Sequence, residues 1–445
     1  MTPFLYAVAP AAIAGTLLAS LLACIPGLHI YNIMGLLALF AHATIAGGTP
    51  LPIEITIPFA MGLMVGFSVL NTIPSILLAA PDESAMFTVL PGQKFFLTGR
   101  GLDGVMLTTV GSAAGLVVLV GIIAPLAPIL LPTAQTVLRP HLHWILWCVI
   151  AFMLMSEWPK SRPSGQAGWR RFADAWKSTG VGLLTFLLAG LLGFILYFRT
   201  PIAADAAFQN LMPAFVGLFT IPWLLLNLVN NIEPPTQNTA CTTTLTPEAA
   251  IRGAFAGALG GGFAAFFPVI TGGIGGLLAG HATALRNDRT FLVSQGTSKL
   301  VYYVGGLLFF FVPGLGITRG GGAWIISGII TPYGYYEYLM ALAAIAIAGS
   351  AALLTVAPLT RLTLKAIAKL GYRLISLIAF LTIILLIAVI TGPAGLAVTS
   401  VATGIGLLPV LFGSRRMNGL GVILLPMACN MSGVGSTIAG WLGLL

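Results

Sequence analysis

Residues Leu374–Ile390 read LISLIAFLTIILLIAVI, a run without Asp, Glu, Lys, Arg or His. Such a run approaches the roughly 20 apolar residues that carry an α-helix across the hydrocarbon core of a bilayer. Thr179–Phe198 and Val105–Ala124 have the same character. Composition extends this reading to the whole chain. Of 445 residues, 58% are hydrophobic and 7% charged, where soluble domains carry about 25% charged residues. So few charges cannot cover a soluble surface, and a disordered chain would need low hydrophobicity with high charge. The sequence specifies an all-α polytopic membrane protein, with room for about 10–14 membrane segments.

The formal net charge is +9, but its distribution argues against nucleic acid. Lys160, Arg162, Arg170, Arg171 and Lys177 fall in one polar loop, Arg361, Lys365, Lys369 and Arg373 in a second, Arg415 and Arg416 in a third. Basic residues gathered in short inter-helix stretches mark cytoplasmic loops. On that topology Leu374–Ile390 leads outward, Ala394–Phe412 returns, and the C-terminus ends outside. The setting implied is the plasma (inner) membrane, with the lipid bilayer as first partner and no nucleic acid. Oligomeric state is not readable from the chain. Cys24, Cys148, Cys241 and Cys429 lie far apart, without metal-ligand spacing. Met1–Leu22 lacks the basic start of a signal peptide and reads as a retained first span.

Glycine makes up 54 of the 445 residues; small residues let membrane helices approach closely where no hydrophobic force between them exists. Some of it is placed more pointedly. Gly15-TLLASLLACI-Pro26-Gly27-Leu28-His29 is echoed by Gly257-ALGGGFAAFF-Pro268-Val269-Ile270-Thr271-Gly272-Gly273, and Thr98-Gly99-Arg100-Gly101 by Thr318-Arg319-Gly320-Gly321. The echo divides the chain into a first repeat (1–155), a basic cytoplasmic loop (156–178), and a second repeat with C-terminal helices (179–445). Two such halves, in inverted orientation, are the architecture of secondary transporters. Pro74, Pro81, Pro91, Pro268 and Pro313 interrupt apolar segments. Broken helices in hydrocarbon must line protein or a water-filled cavity.

The polar residues collect around these breaks. In Ser68–Leu90 (SVLNTIPSILLAAPDESAMFTVL), Asn71, Thr72 and Ser75 surround Pro74, and Asp82 and Glu83 follow Pro81. A charged side chain at mid-bilayer costs on the order of 2.5–3.5 kcal/mol. These acids therefore line a cavity, pair with a base such as Arg100 or Lys94, or bind a cation; the plainer alternative is that they cap a helix at the interface. Pro26, Gly27, His29, Tyr31 and Asn32 form a second focus, where a new helix N-terminus would favour an anion. His29 there is a donor, a proton carrier, or a buried ring bonded to a carbonyl. The counterpart turn carries Thr271, Gly272 and Gly273, and Phe291–Lys299 brings Ser294, Gln295, Thr297, Ser298 and Lys299 together. Lys299 reads either as a substrate countercharge or as an interface residue. Asn227–Thr244 reads as an extramembrane loop. The motifs HExxH, GxSxG and GxxxxGK[ST] are absent, so the sequence offers no hydrolase or ATPase signature.

Ile25-Pro26-Gly27-Leu28-His29, Ile73-Pro74-Ser75-Ile76-Leu77, Ala80-Pro81-Asp82-Glu83, Val89-Leu90-Pro91-Gly92 and Gly99-Arg100-Gly101 resemble the TctA family, the large membrane subunit of tripartite tricarboxylate transporters, in its shorter archaeal-type branch. The second half is less similar: the family shows a second Pro-Gly turn where this chain has Pro268-Val269. The resemblance implies a permease of two related halves, each with a broken or re-entrant hairpin. It also implies carboxylate import on an ion gradient, with a periplasmic solute-binding protein and a small membrane subunit as partners.

The expectation is an ion-coupled secondary transporter for an organic anion. Pro26, Gly27, His29, Asn32, Asn71, Thr72, Ser75, Arg100, Thr271, Gly272, Gly273, Gln295, Thr297, Ser298 and Lys299 would bind substrate, and Asp82 and Glu83 would couple Na⁺ or H⁺ without other cofactor or metal. One alternative is a flippase for a polyprenyl-phosphate-type lipid carrier, the substrate linked to a distant relative group. The other is an intramembrane enzyme using His29 with an acid, which would need the two within hydrogen-bond reach.

Overall fold

The computed structural model describes residues 2–26, 28–157, 168–202, 210–230, 233–285 and 287–445. Among them there is no strand. In chain order the helices are α1 (Thr2–Leu22), α2 (Ile30–Ala46), α3 (Ile53–Leu70), α4 (Thr72–Leu77), α5 (Met86–Leu97), α6 (Gly101–Val118), α7 (Ala124–Leu138), α8 (Leu142–Met155), α9 (Trp169–Phe198) and α10 (Leu211–Phe215). There follow α11 (Ile221–Val229), α12 (Pro247–Phe266), α13 (Gly272–Ala282), α14 (Asp288–Phe310), α15 (Gly320–Ser327), α16 (Tyr335–Leu370), α17 (Tyr372–Phe412), α18 (Gly421–Met431) and α19 (Gly435–Trp441).

Among the described residues, seven stretches are long and apolar enough to cross a membrane, or eight if the bent pair at 416–441 counts as one. This is below the ten to fourteen segments that length allows, because the chain uses long and broken helices. Gly101–Met155 runs 55 residues and Tyr372–Phe412 runs 41, each more than one crossing requires. The outward and return passes read around Leu374–Phe412 fall on two helices that meet at a kink at Gly392, whose φ of 65° lies outside the helical region. Tyr6–Leu22 and Ile30–Ala46 are apolar but shorter.

Two compact units emerge, and they do not follow a division at residues 156–178. One comprises Met1–Thr136 with Asn227–Phe380; the other comprises Val137–Leu226 with Leu381–Leu445. In the second, α18 lies along α9 and α8. Its buried Glu157 accepts from the Arg415 backbone N–H and the Ser414 hydroxyl. Burial pushes that carboxyl above its usual range. Lys160 and Arg162 of the basic loop, and Asn231 of the loop that follows α11, lie outside the described residues.

The first unit holds the polar breaks. Its centre is α14, which packs on α12, α6, α13 and α3, while α1 lies along α3. Where α6 crosses α14 there is no space for side chains. A Cβ on Gly111 would fall on the Val293 carbonyl, and one on Gly296 would fall on the Thr108 carbonyl. The crossing is fastened by the Thr297 hydroxyl, which donates to the Gly111 carbonyl at 2.7 Å. Small residues here do what apolar burial does in water-soluble folds.

Pro81, Pro268 and Pro313 stand between helices as expected, whereas Pro74 lies inside the short α4 and Pro91 inside α5. Leu78 and Ala80 N–H groups both reach back to the Pro74 carbonyl, at 3.0 and 3.2 Å, and Ala79 between them takes φ 53°. After α12, Pro268 is followed by Val269 at φ 54°. A β-branched residue in this left-handed region is strained by about 1–2 kcal/mol, and glycine is the residue that relieves it.

Two stability measurements follow from these contacts. Gly296→Val should lower the thermal midpoint in detergent, reflecting about 1–3 kcal/mol of overpacking at the α6–α14 crossing. Val269→Gly should leave the midpoint unchanged or raise it. A rise with Gly296→Val, or a large drop with Val269→Gly, would contradict this packing and this backbone geometry respectively.

Candidate functional site

Asp82 and Glu83 stand in the turn between α4 and α5. Asp82 does not cap α5, whose N-cap Ala85 has no side-chain cap; it closes the turn before that helix, one carboxylate oxygen accepting from the N–H groups of Ser84 (3.1 Å) and Ala85 (2.6 Å). Its second oxygen, Oδ2, faces inward and accepts from the Asn71 amide and from the Tyr303 hydroxyl at 2.8 Å. Asn71 sits at the α3–α4 break, and its amide oxygen accepts from the Lys299 ammonium. Lys299 is 1% exposed.

Glu83, 2% exposed, lies 3.0 Å from the Tyr303 hydroxyl, whose single proton it shares with Asp82, and 3.1 Å from His29 Nε2. His29 caps α2, and its Nδ1 accepts from the Tyr31 N–H at 3.2 Å. That bond places the proton of a neutral ring on Nε2, so His29 donates to Glu83. Phe67 closes over the ring, at 5.3 Å from His29 and 5.8 Å, edge-on, from Tyr303. Six side chains from two distant stretches of sequence thus form one buried chain: Lys299, Asn71, Asp82, Tyr303, Glu83 and His29.

The counterpart break arrives at the same place. The Thr271 hydroxyl caps α13 and donates to the Glu83 backbone carbonyl at 3.4 Å. A Cβ on Gly273 would meet the Ser84 carbonyl at 2.9 Å. The Gly272 carbonyl accepts from the Ser298 hydroxyl at 2.7 Å, tying α14 to the start of α13. Both proline-opened turns therefore converge on one acidic turn of the protein itself.

Nε2 of His29 and one oxygen from each acid lie within 4.8 Å of one another, close enough for three ligands to share a cation. The oxygens already carry several donors, so a bound cation would have to displace some of them.

The remaining sequence candidates divide plainly. Thr72, Ser75 and Thr297 donate to the carbonyls of Val69 (2.9 Å), Asn71 (2.7 Å) and Gly111 (2.7 Å), so their hydroxyls serve the helices. Asn32 is buried in the first turn of α2, and Pro26 is buried in the turn before it. Gly27 lies outside the described residues. Gln295 is 2% exposed, and both ends of its amide lack a hydrogen-bond partner where it faces Gly276.

The bases nearest in sequence are not the partners of the acids. Lys94 pairs with Asp288 at 2.7 Å in an exposed bridge. Arg100 pairs with Asp103 at 2.7 Å and donates to Thr243 at 3.0 Å. Asp103 in turn accepts from the Thr242 N–H at 2.8 Å, so Arg100 belongs to a bracket between α6 and the segment before α12. The reason is reach: α14 is packed on α3 and α5, and it presents Lys299 and Tyr303 to the acids from across the unit. Tyr303 escaped the sequence reading, although it stands four residues after Lys299 and so shares its helix face.

His29 and Glu83 are within the hydrogen-bond reach that an acid–base enzyme would also need, so the contact alone does not separate enzyme from transporter. Comparison with known proteins does. Over 423 residues the chain is 26% identical to an uncharacterized protein of Methanocaldococcus jannaschii, covering 93% of this chain and 96% of that one. No solved structure matches. Residues 10–421 match the tripartite tricarboxylate transporter TctA family, a transporter family whose systems include a periplasmic binding protein and a small membrane subunit. A match that runs from α1 to the start of α18 places both halves of the acid cluster inside it, and the chain belongs to the TctA family, as a multi-pass membrane component of the tricarboxylate transporter type.

Proposed function

We propose that the protein is an ion-coupled secondary transporter of the plasma membrane for an organic anion such as a di- or tricarboxylate, with Asp82, Glu83 and His29 as its coupling site. The observation that carries the reading is the buried, continuous acid cluster where the two proline-opened turns meet. With both acids ionised, Lys299 protonated and His29 neutral, the cluster holds one net negative charge. One proton or one Na⁺ brings it to neutrality. Uncompensated charge is costly in a bilayer, so the loaded and empty states favour different packing around α14, and ion binding is thereby tied to movement.

The N-termini of α2 and α13 serve this acidic turn: their positive ends and their caps, His29 and Thr271, hold it in place. The turns at Pro26–His29 and Pro268–Thr271, paired in the sequence echo, act as counterparts in two inverted halves, which is supported by their meeting on Glu83, His29 at its carboxylate and Thr271 at its backbone carbonyl. Family membership supports a periplasmic solute-binding protein that delivers the anion and a small membrane subunit that completes the assembly.

Proteoliposomes taking up labelled citrate against an imposed Na⁺ or pH gradient test the coupling role. Asp82→Asn combined with Glu83→Gln should reduce gradient-driven accumulation by at least about tenfold, the scale set by a buried charge in the membrane. Accumulation equal to wild type, with the same dependence on the gradient, would remove these acids from the coupling step.

A further inference from the structure

Lys299 stands one amide away from the acids. It and Asn71 are both buried, and its ammonium donates to the side-chain oxygen of Asn71. The amide nitrogen of Asn71 donates in turn to Oδ2 of Asp82. An ionised carboxylate only accepts and an ammonium only donates, so the amide fits between them in one orientation alone. Lys94 and Arg100, the bases nearest the acids in sequence, pair instead with Asp288 and Asp103.

The neighbours of Lys299 hold it there. The Thr297 hydroxyl donates to the Gly111 carbonyl and the Ser298 hydroxyl to the Gly272 carbonyl, both at 2.7 Å. This turn of α14 is thereby tied to α6 on one side and to α13 on the other. Lys299 faces protein rather than a space that a substrate could enter, so its positive charge serves the acids. The amide spacer also matters. A directly paired ammonium would compete with an incoming cation for the carboxylate. A neutral amide can yield that oxygen to the ion while the ammonium behind it still offsets one negative charge.

We infer that Lys299 is a tethered counter-cation that sets the coupling ratio of the transporter. It supplies from within the protein one of the positive charges that Asp82 and Glu83 require, so each cycle takes one cation fewer from solution. The inference rests on the reading of these acids as the coupling site and adds the residue that fixes how many cations accompany each anion. Asn71 is the positioning residue between the two charges. Without the ammonium, the same two acids need one more Na⁺ or H⁺ to reach the same charge, because uncompensated charge is costly in the membrane.

Steady-state citrate accumulation in proteoliposomes, with the membrane potential clamped at zero and a series of imposed Na⁺ or pH gradients, reads this ratio as the slope of log accumulation against log gradient. Lys299→Gln should raise the slope by about one, since one more cation must neutralise the acids. The melting temperature of the full-length protein in detergent gives a second reading that needs no transport. Lys299→Gln should lower it, and adding Asp82→Asn should recover at least about half of the loss, because removing both members of a buried charge pair costs less than removing one. A slope equal to wild type would deny Lys299 this role and leave the transport reading standing. Where Lys299→Gln accumulates no citrate, the melting series decides: recovery in the double variant supports the inference, and additive losses overturn it. If wild type accumulates no citrate under either gradient, the transport reading falls and the inference falls with it.

Discussion

Two carboxylates and an ammonium inside a chain that is 7% charged can persist only if each is compensated where it stands. Breaking one member of a buried charge group costs about 3–5 kcal/mol, because its partner is left without compensation. Asp82 is held by two backbone amides, Asn71 and Tyr303; Glu83 by His29 and Tyr303; Lys299 by Asn71. Every element that supplies one of these groups is thereby fixed relative to the others. The α3–α4 break, the turn before α5, the cap of α2 and one face of α14 are located by the need to satisfy a few charges.

Packing supplies what electrostatics requires. A buried polar chain is tolerated only when its members are brought to hydrogen-bond distance, and helices with bulky interfaces could not bring them there. The reciprocal glycine contacts of α6 and α14 remove a side chain's thickness from the crossing, and the same economy recurs between α1 and α3, where Gly15 and Gly62 face backbone carbonyls. Much of the glycine content is thus a condition for placing Lys299 and Tyr303 opposite residues more than 200 positions earlier.

Much of this was legible in the chain. The apolar runs announced membrane helices, Pro74, Pro81 and Pro268 announced the breaks, and the costs of burying Asp82, Glu83 and Lys299 marked them as functional candidates. What sequence could not supply was the pairing. Lys94 and Arg100 are near the acids in sequence, yet their partners are Asp288 and Asp103, because tertiary packing, not chain distance, decides which charges meet. Tyr303 went unread since a tyrosine in an apolar helix costs little by itself; its value lies in two acceptors contributed from elsewhere. The hydroxyls of Thr72, Ser75 and Thr297 looked like ligand donors in sequence and are satisfied by carbonyls within their helices or across a crossing.

The bracket at the start of α6 has a mechanical meaning. Asp103 grips Thr242 and Thr243, Gln237 bonds both the Phe96 carbonyl and the Gly101 N–H, and the Asn238 N–H reaches the Gly99 carbonyl at 2.8 Å. A stapled end of this kind is a fulcrum: angular displacement there is suppressed, and it grows along the lever arm. At the far end of α6 the chain passes into Leu119–Ile123, a π-helical stretch of the loosened sort at which helices bend. Whatever rocking α6 performs is therefore pinned at Gly101 and absorbed beyond Val118.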